Sequence, residues 1–444
     1  AITSVLVISG VLGWLEPWES DNRSEQNGYG SSKTPSIAIL PFLNLSDDAE
    51  QEYFADGLTE DLITDLSKLS GLFVIARNSA FSYKGKGAEV SQVADELGVR
   101  YVLEGSVRRA GDQVRINTQL IDASTGGHVW AERYDGLLND IFSMQDRVNE
   151  QIIDALSIEL VSGEKTSITR EETYNAEAHD AFLKGWEQFR RKTPENHAIA
   201  RDYFKQALEI DPDYNRALSA LAALYWDVHV RVWSPALKEN EFALKEIAMD
   251  YLGRALENPT ALAFVVESRI HLRHGRHDKA ITAARHAVKL SRNDPEAQIA
   301  LARSLIFSGR PEESLPVIEI AERLDPYNEP EHKMNRGLAE FGLDQYATAA
   351  ELFARAFELY SNNYLASAGL ASAYGHLDHK EKAQEALQSY VNSEHTEFYA
   401  YNIGTALSFF PYKISADKER LAEGWRSAGI PETEVEQYKS NISQ

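Results

Sequence analysis

Apolar residues recur along this chain with three different periods, and each marks a different kind of structure. Ser36 to Phe42 (SIAILPF) is an unbroken apolar run closed by Pro41, the pattern of a buried strand. From residue 53 to 69, Leu58, Leu62, Ile63, Leu66 and Leu69 stand at helical spacing behind the capping candidates Asp56 and Thr59. Leu72 to Ala76 predicts a second strand, and residues 89–98 a second helix ended by Gly98. Three strands follow. Tyr101 to Arg109 leads into the turn Ala110-Gly111-Asp112. Next, Val114, Ile116, Thr118 and Leu120 alternate with Arg115, Asn117 and Gln119, a period of two that buries one face. After Thr125-Gly126-Gly127 comes a strand from His128 to Tyr134, and a helix from about Asp140 to Leu160 closes the unit. The order β-α-β-α-β-β-β-α over residues 35–165 predicts an α/β domain with a mixed sheet.

From residue 181 to 397 the period is 34 residues. Windows begin at Ala181, Asn215, Ala261, Pro295, Pro330 and Tyr364. Their twentieth place holds Ala200, Ala280, Ser314, Ala349 and Ala383; their twenty-seventh holds Ala207, Ala287, Ala321 and Ala356, with Tyr390 as the exception. The twenty-fourth is usually large: Phe204, Ile318, Phe353, Leu387. Small residues let two antiparallel helices approach closely, and large ones plug the neighbouring gap. Units that bury their faces only against neighbours stack into an all-α solenoid. In the second window the second helix arrives late, after an extra segment from His229 to Phe242 that reads as a longer helix pair or a binding loop. Residues 398–444 leave the repeat; Ala416 to Ala428 reads as a helix in a capping segment.

Ala1 to Leu15 carries no charge and is followed by Trp18 and by a polar, Gly/Ser-rich stretch through residue 34. The reading is a partial transmembrane helix (1–15), with Trp14 and Trp18 at the membrane interface, then a linker (16–34).

These segments resemble known families. The phrases SIAILPF, EYFADGLTEDLITDLSKLSGLFVIARNSAFSYKGK, ELGVRYVLEGSVRRAGDQVRINTQLID and TGGHVWAERYD resemble the TolB-like amino-terminal domain of bacterial signalling proteins. The 34-residue pattern resembles tetratricopeptide (TPR) repeats. Together they resemble the C-terminal region of membrane-bound bacterial class III adenylate/guanylate cyclases. That resemblance implies a non-catalytic sensor and protein-interaction region, with cyclic nucleotide synthesis by an effector domain upstream. Alternatives are the regulatory region of a membrane-bound winged-helix transcriptional regulator, and a stand-alone TPR scaffold. The resemblance also implies an inner-membrane, single-pass protein with its folded part in the periplasm, and a homodimer formed through the effector.

Composition narrows the chemistry. With 68 acidic and 45 basic residues the net charge is −23, which argues against nucleic-acid binding in this region. The absence of cysteine removes disulfides and thiolate chemistry. His271, His274 and His277 straddle Gly275, so they would not share a helical face as metal ligands; His376 and His379 occupy the equivalent turn of a later unit. Tyr83 to Gly87 (YKGKG) lacks phosphate-loop spacing, and the carboxylates Asp47, Asp48, Glu50 and Glu52 lack the central glycine of a calcium loop. The expectation is therefore no catalytic, cofactor or metal site here. The binding expectation is a protein or peptide held in the groove lined by the first helix of each repeat, with Arg269, Arg273, Arg303, Ile306, Leu338 and Phe341 as candidates.

Overall fold

The structure, a computed structural model, describes residues 34–158, 160, 173, 175–231, 233–361, 363–391, 402–408, 410–430 and 432. The expected transmembrane helix and most of the linker lie outside the described residues. Among the described residues no helix is long and apolar enough to cross a membrane.

Strand β1 (Ser36–Ile39) sits deep in a six-stranded mixed sheet, with Ile37, Ala38 and Ile39 fully buried. It pairs in parallel with β3 (Phe73–Val74) and with β4 (Tyr101–Ala110). A two-residue strand beyond Pro41, β2 (Leu43–Asn44), continues along β4. The meander β4, β5 (Gln113–Asp122) and β6 (Gly127–Leu137) is antiparallel, and its first turn places Gly111 at φ +61°. Val114, Ile116, Thr118 and Leu120 of β5 are buried, so the period of two reports a single covered face. Helices α1 (Glu52–Leu66), α2 (Arg77–Phe81), α3 (Val90–Leu97) and α4 (Ile141–Ala155) complete the domain. The short β2 and α2 add to the expected order. Helix α4 ends near Ala155, five residues before the expected Leu160.

Among the described residues six helix pairs follow: α5 (Ala176–Arg190) with α6 (Pro194–Ile210), then α7 (Asn215–Arg231) with α9 (Glu241–Ala255). The remaining pairs are α10 (Ala261–Arg273) with α11 (His277–Leu290), α12 (Pro295–Phe307) with α13 (Pro311–Leu324), α14 (Glu329–Gly342) with α15 (Tyr346–Leu359), and α16 (Tyr364–His376) with α17 (Lys380–Val391). Ala200, Ala280, Ser314, Ala349 and Ala383 are wholly buried at the crossings, and Phe204, Ile318 and Phe353 fill the gaps beside them. The extra segment in the second pair forms a short helix, α8 (Ser234–Leu237), folded back on α6: the Arg201 guanidinium donates to the Leu237 carbonyl at 2.8 Å, and Trp233 meets His197 edge-on at 5.1 Å. After α18 (Ile403–Leu407), the last helix α19 (Ser415–Ala428) lies over α16.

Helix α1 departs from its one-sided pattern. Glu60 and Asp61, on what reads as its wet side, are buried because α5 and α7 cover that side. Each carboxylate is met by several donors. Asp61 accepts from Arg216 at 2.6 Å and from Gln145 at 3.0 Å, and lies 3.0 Å from His179 Nε2. Glu60 takes Trp186 at 2.6 Å, Arg77 at 2.7 Å and Arg190 at 3.0 Å. Further along, the turns between repeats dock on the same domain. The Asn293 side-chain amide donates towards the carbonyls of Ser67, Leu69 and Leu72, at 2.9 Å for Leu72, and Ser79 Oγ donates to Asp325 at 2.5 Å. Sheet domain and first repeats thus share one apolar core.

Candidate functional site

The first helices of the third, fourth and fifth repeats carry a ladder of charges. Arg269 of α10 donates to Glu296 at the start of α12 at 2.8 Å. Arg303, one repeat on, donates to Glu331 of α14 at 2.6 Å and through Nε to Asn335 at 2.8 Å. The two rungs are equivalent. An arginine in the ninth place of one window reaches a glutamate in the second place of the next window's first helix. Each rung is partly open to water: side-chain exposure is 33% for Arg269, 57% for Glu296, 24% for Arg303 and 36% for Glu331.

Charges at the end of the first repeat's first helix also act on the ladder. The protein crowded around the half-open Glu296 would raise its carboxyl, but Arg269, helped by Lys192 and Arg190 at the end of α5, brings it down to about 2. Glu331 is also held low; burial opposes this, and Arg303 and Lys192 outweigh it. Asp294, which caps α12 by accepting from the Glu296 amide, is pushed up to about 6 by burial and by the charge of Glu296. Along these first helices fixed carboxylates alternate with guanidinium groups. Arg269 spends its Nη2 on Glu296, and its planar fork has further donors to offer a ligand carboxylate.

Not every expected groove residue faces this surface. Ile306, Leu338 and Phe341 are at most 2% exposed and sit in the core of the array. Their positions correct the expectation. A first helix in a stack is packed both by its own partner helix and by the next repeat, so its apolar places are filled by neighbours. Arg273 is exposed, but it turns to the edge of the array and donates to the Ser408 carbonyl at 2.6 Å. Glu296, Glu331 and Asn335 were missed. The recurring Arg-to-Glu spacing was the signal that could have found two of them.

The histidines go separate ways. His271 Nε2 lies 3.5 Å from Glu267, while His274 and His277 donate to the carbonyls of Ile270 and Pro411. No group of three metal-ligating side chains converges among the described residues. Lys84 of the YKGKG loop reaches Asp56 and Glu52, and Asp48 caps a short turn ahead of α1.

Two family models match separate parts of the chain. Residues 32–154 match the family described as HilA/YgeH-like transcriptional regulator, second domain. Residues 265–329 and 299–364 match the tetratricopeptide repeat, so the ladder stands on repeats of that class. Over 206 residues, 46% of this chain, the sequence is 49% identical to a Rhizobium meliloti (strain 1021) protein named "Putative adenylate cyclase 3". The match spans 35% of that relative, so the chain accounts for about a third of its length. Among solved structures, TolB from Acinetobacter baumannii is 20% identical, over 28% of this chain and 29% of that one, at a TM-score of 0.22. YrrB, described as a TPR protein with an unusual peptide-binding site, is 19% identical, over 44% of this chain and 90% of that one, at a TM-score of 0.29.

Proposed function

We propose that these 444 residues form the non-catalytic sensing and protein-interaction region of a bacterial signalling protein. Its effector, outside these residues, is a class III adenylate cyclase that makes cyclic AMP from ATP with a divalent metal ion. The repeat groove holds a protein terminus or peptide through a carboxylate. The single observation that carries the binding part is the ladder Arg269–Glu296 and Arg303–Glu331, half-open charge on the concave side of a TPR stack. The cyclase part is supported by the 49% identity to a relative bearing that name. The seam through Glu60, Asp61 and Asn293 gives a bound peptide a mechanical route to the sheet. The uncharged stretch Ala1 to Leu15 supports an inner-membrane anchor, and the family resemblance alone supports a periplasmic folded part.

Cyclic AMP production from the full-length gene tests the reading. The intact protein is expected to form cyclic AMP, and Arg269→Glu with Arg303→Glu to change that output without unfolding the chain. A full-length gene that encodes no cyclase domain removes the effector assignment. Protease digestion of the repeats in cells with an intact inner membrane and a permeabilised outer membrane is expected; protection there refutes the periplasmic placement. The match to HilA/YgeH-like regulators favours a second reading, in which the effector is a winged-helix DNA-binding domain. Sequence-specific DNA retention by the full-length protein, without cyclase activity, would select it.

A further inference from the structure

Where the α10–α11 turn meets the returning C-terminal segment lies an open cleft of about 650 Å³. Its lining contains Arg273, Arg276, Lys279, Lys413 and Lys418 against one carboxylate, Asp278. In a chain of net charge −23, five cations around one anion reverse the local field.

Two of the five are spoken for. Arg273 donates to the Ser408 carbonyl at 2.6 Å, and Lys413 lies 3.0 Å from Asp278. Arg276, Lys279 and Lys418 are exposed and have no acidic partner among the described residues. The first turn of α11 opens on the same lining, and no side chain caps it, its N-cap being Arg276 itself. Backbone N–H groups there add partial positive charge. The walls are held in place. Buried His277 donates from Nε2 to the Pro411 carbonyl at 2.6 Å, and the Lys413 amide donates to the Phe307 carbonyl at 2.8 Å.

We propose that this cleft binds a small soluble ligand carrying two or three phosphoryl groups. Planar guanidinium forks, lysine ammoniums and helix N–H groups match phosphoryl oxygens, and the cleft has the volume of ordinary metabolite sites. A single carboxylate would leave most of this charge uncompensated. A nucleic-acid strand would need the basic surface to continue beyond the cleft, which the net charge of the chain opposes.

Calorimetric titration of the full 444-residue chain with inorganic tripolyphosphate is the test. One saturable site is expected with Kd below about 100 µM at about 0.15 M salt, weakening as salt rises. Arg276→Glu with Lys279→Glu is expected to weaken binding at least tenfold, and Lys418→Glu severalfold. Arg133→Glu with Lys380→Glu removes the same charge from side chains that are 61% and 70% exposed elsewhere, and should leave the affinity within twofold. Absence of saturable heat overturns the proposal, as does equal weakening by both double variants. Cosedimentation with phosphatidylcholine vesicles carrying phosphatidic acid separates the two sources of phosphate. Vesicle capture that Arg276→Glu with Lys279→Glu abolishes, in a chain that gives no saturable heat with tripolyphosphate, assigns the cleft to a lipid headgroup and overturns the soluble ligand.

Discussion

Asp61 is a carboxylate enclosed by protein that stays ionised. Burial pushes its pKa up, but Arg216 and His179 outweigh burial and hold it well below the usual carboxylate range. Its folded-state pKa is depressed, so its contribution is present above about pH 4 and is lost as pH falls through the folded value. Asp61→Asn is expected to cost about 3–5 kcal/mol at pH 7, because it strands the Arg216 charge in the seam. Urea unfolding at a series of pH values should show the gap to wild type closing towards pH 2; a gap independent of pH contradicts the assignment. Asp294 has the opposite sign. Its pKa is raised to about 6, so the stability it contributes is present below about pH 4 and lost by pH 6. Asp294→Asn keeps a capping acceptor and should stabilise by up to about 1 kcal/mol at pH 7, with no gain at pH 4 in thermal melts. The burial of Glu60 and Asp61 was not legible in the sequence. Glu60 and Asp61 occupy the polar side of α1, and most of their partners, Trp186, Arg190, His179 and Arg216, come from chain more than 100 residues away. The repeat register marked Arg269 and Arg303, which pair with Glu296 and Glu331, but it marked Arg273 as well, which turns to the edge of the array. Ile306, Leu338 and Phe341 were misplaced because a window position does not say which apolar places a neighbouring helix fills.

At the scale of elements, the 34-residue spacing located the helix pairs because small residues at a crossing are a local, repeated demand. Asn215, Ala261, Pro295 and Tyr364 open both windows and observed helices. The docking of α19 has no such period and could not be read. It depends on two glycines facing each other: a Cβ on Gly375 would lie 2.0 Å from the Gly424 carbonyl oxygen, and one on Gly424 would lie 2.3 Å from that of Ser372. Trp425 then donates to the Ala368 carbonyl at 2.8 Å and Ser372 to that of Leu421 at 3.0 Å. Gly424→Ala is expected to destabilise this crossing by about 1–3 kcal/mol. Hydrogen exchange should quicken in α16, α17 and α19 while the sheet domain keeps its protection. Quickened exchange in the sheet as well would show that the crossing does not unfold as a separate unit.

For the molecule as a whole, the sequence shows two bodies and the structure shows one. Each half announces itself by period, two in the sheet and thirty-four in the array. Their joint is written in side-chain amides and carboxylates with no pattern of their own. Asn293 is the clearest case, one polar residue in an inter-repeat turn that donates to carbonyls of the segment following α1. Combining Asn293→Ala with Asp61→Asn should split thermal unfolding into two calorimetric transitions where the unaltered chain shows one; a single transition in the double variant would mean that apolar contact alone couples the halves.

The two edges of the superhelix are both occupied. The sheet domain grips the array through Arg216 at the start of α7 and through Asn293 and Asp325 in turns between repeats, and the C-terminal segment is stitched to the ends of repeat helices through Arg273, His277 and Arg420. A free TPR coil stretches and relaxes like a spring; this one is riveted along both rails. Guests must therefore be admitted by swinging side chains rather than by uncoiling. Any strain that a guest does impose has two exits, into the sheet or into the tail.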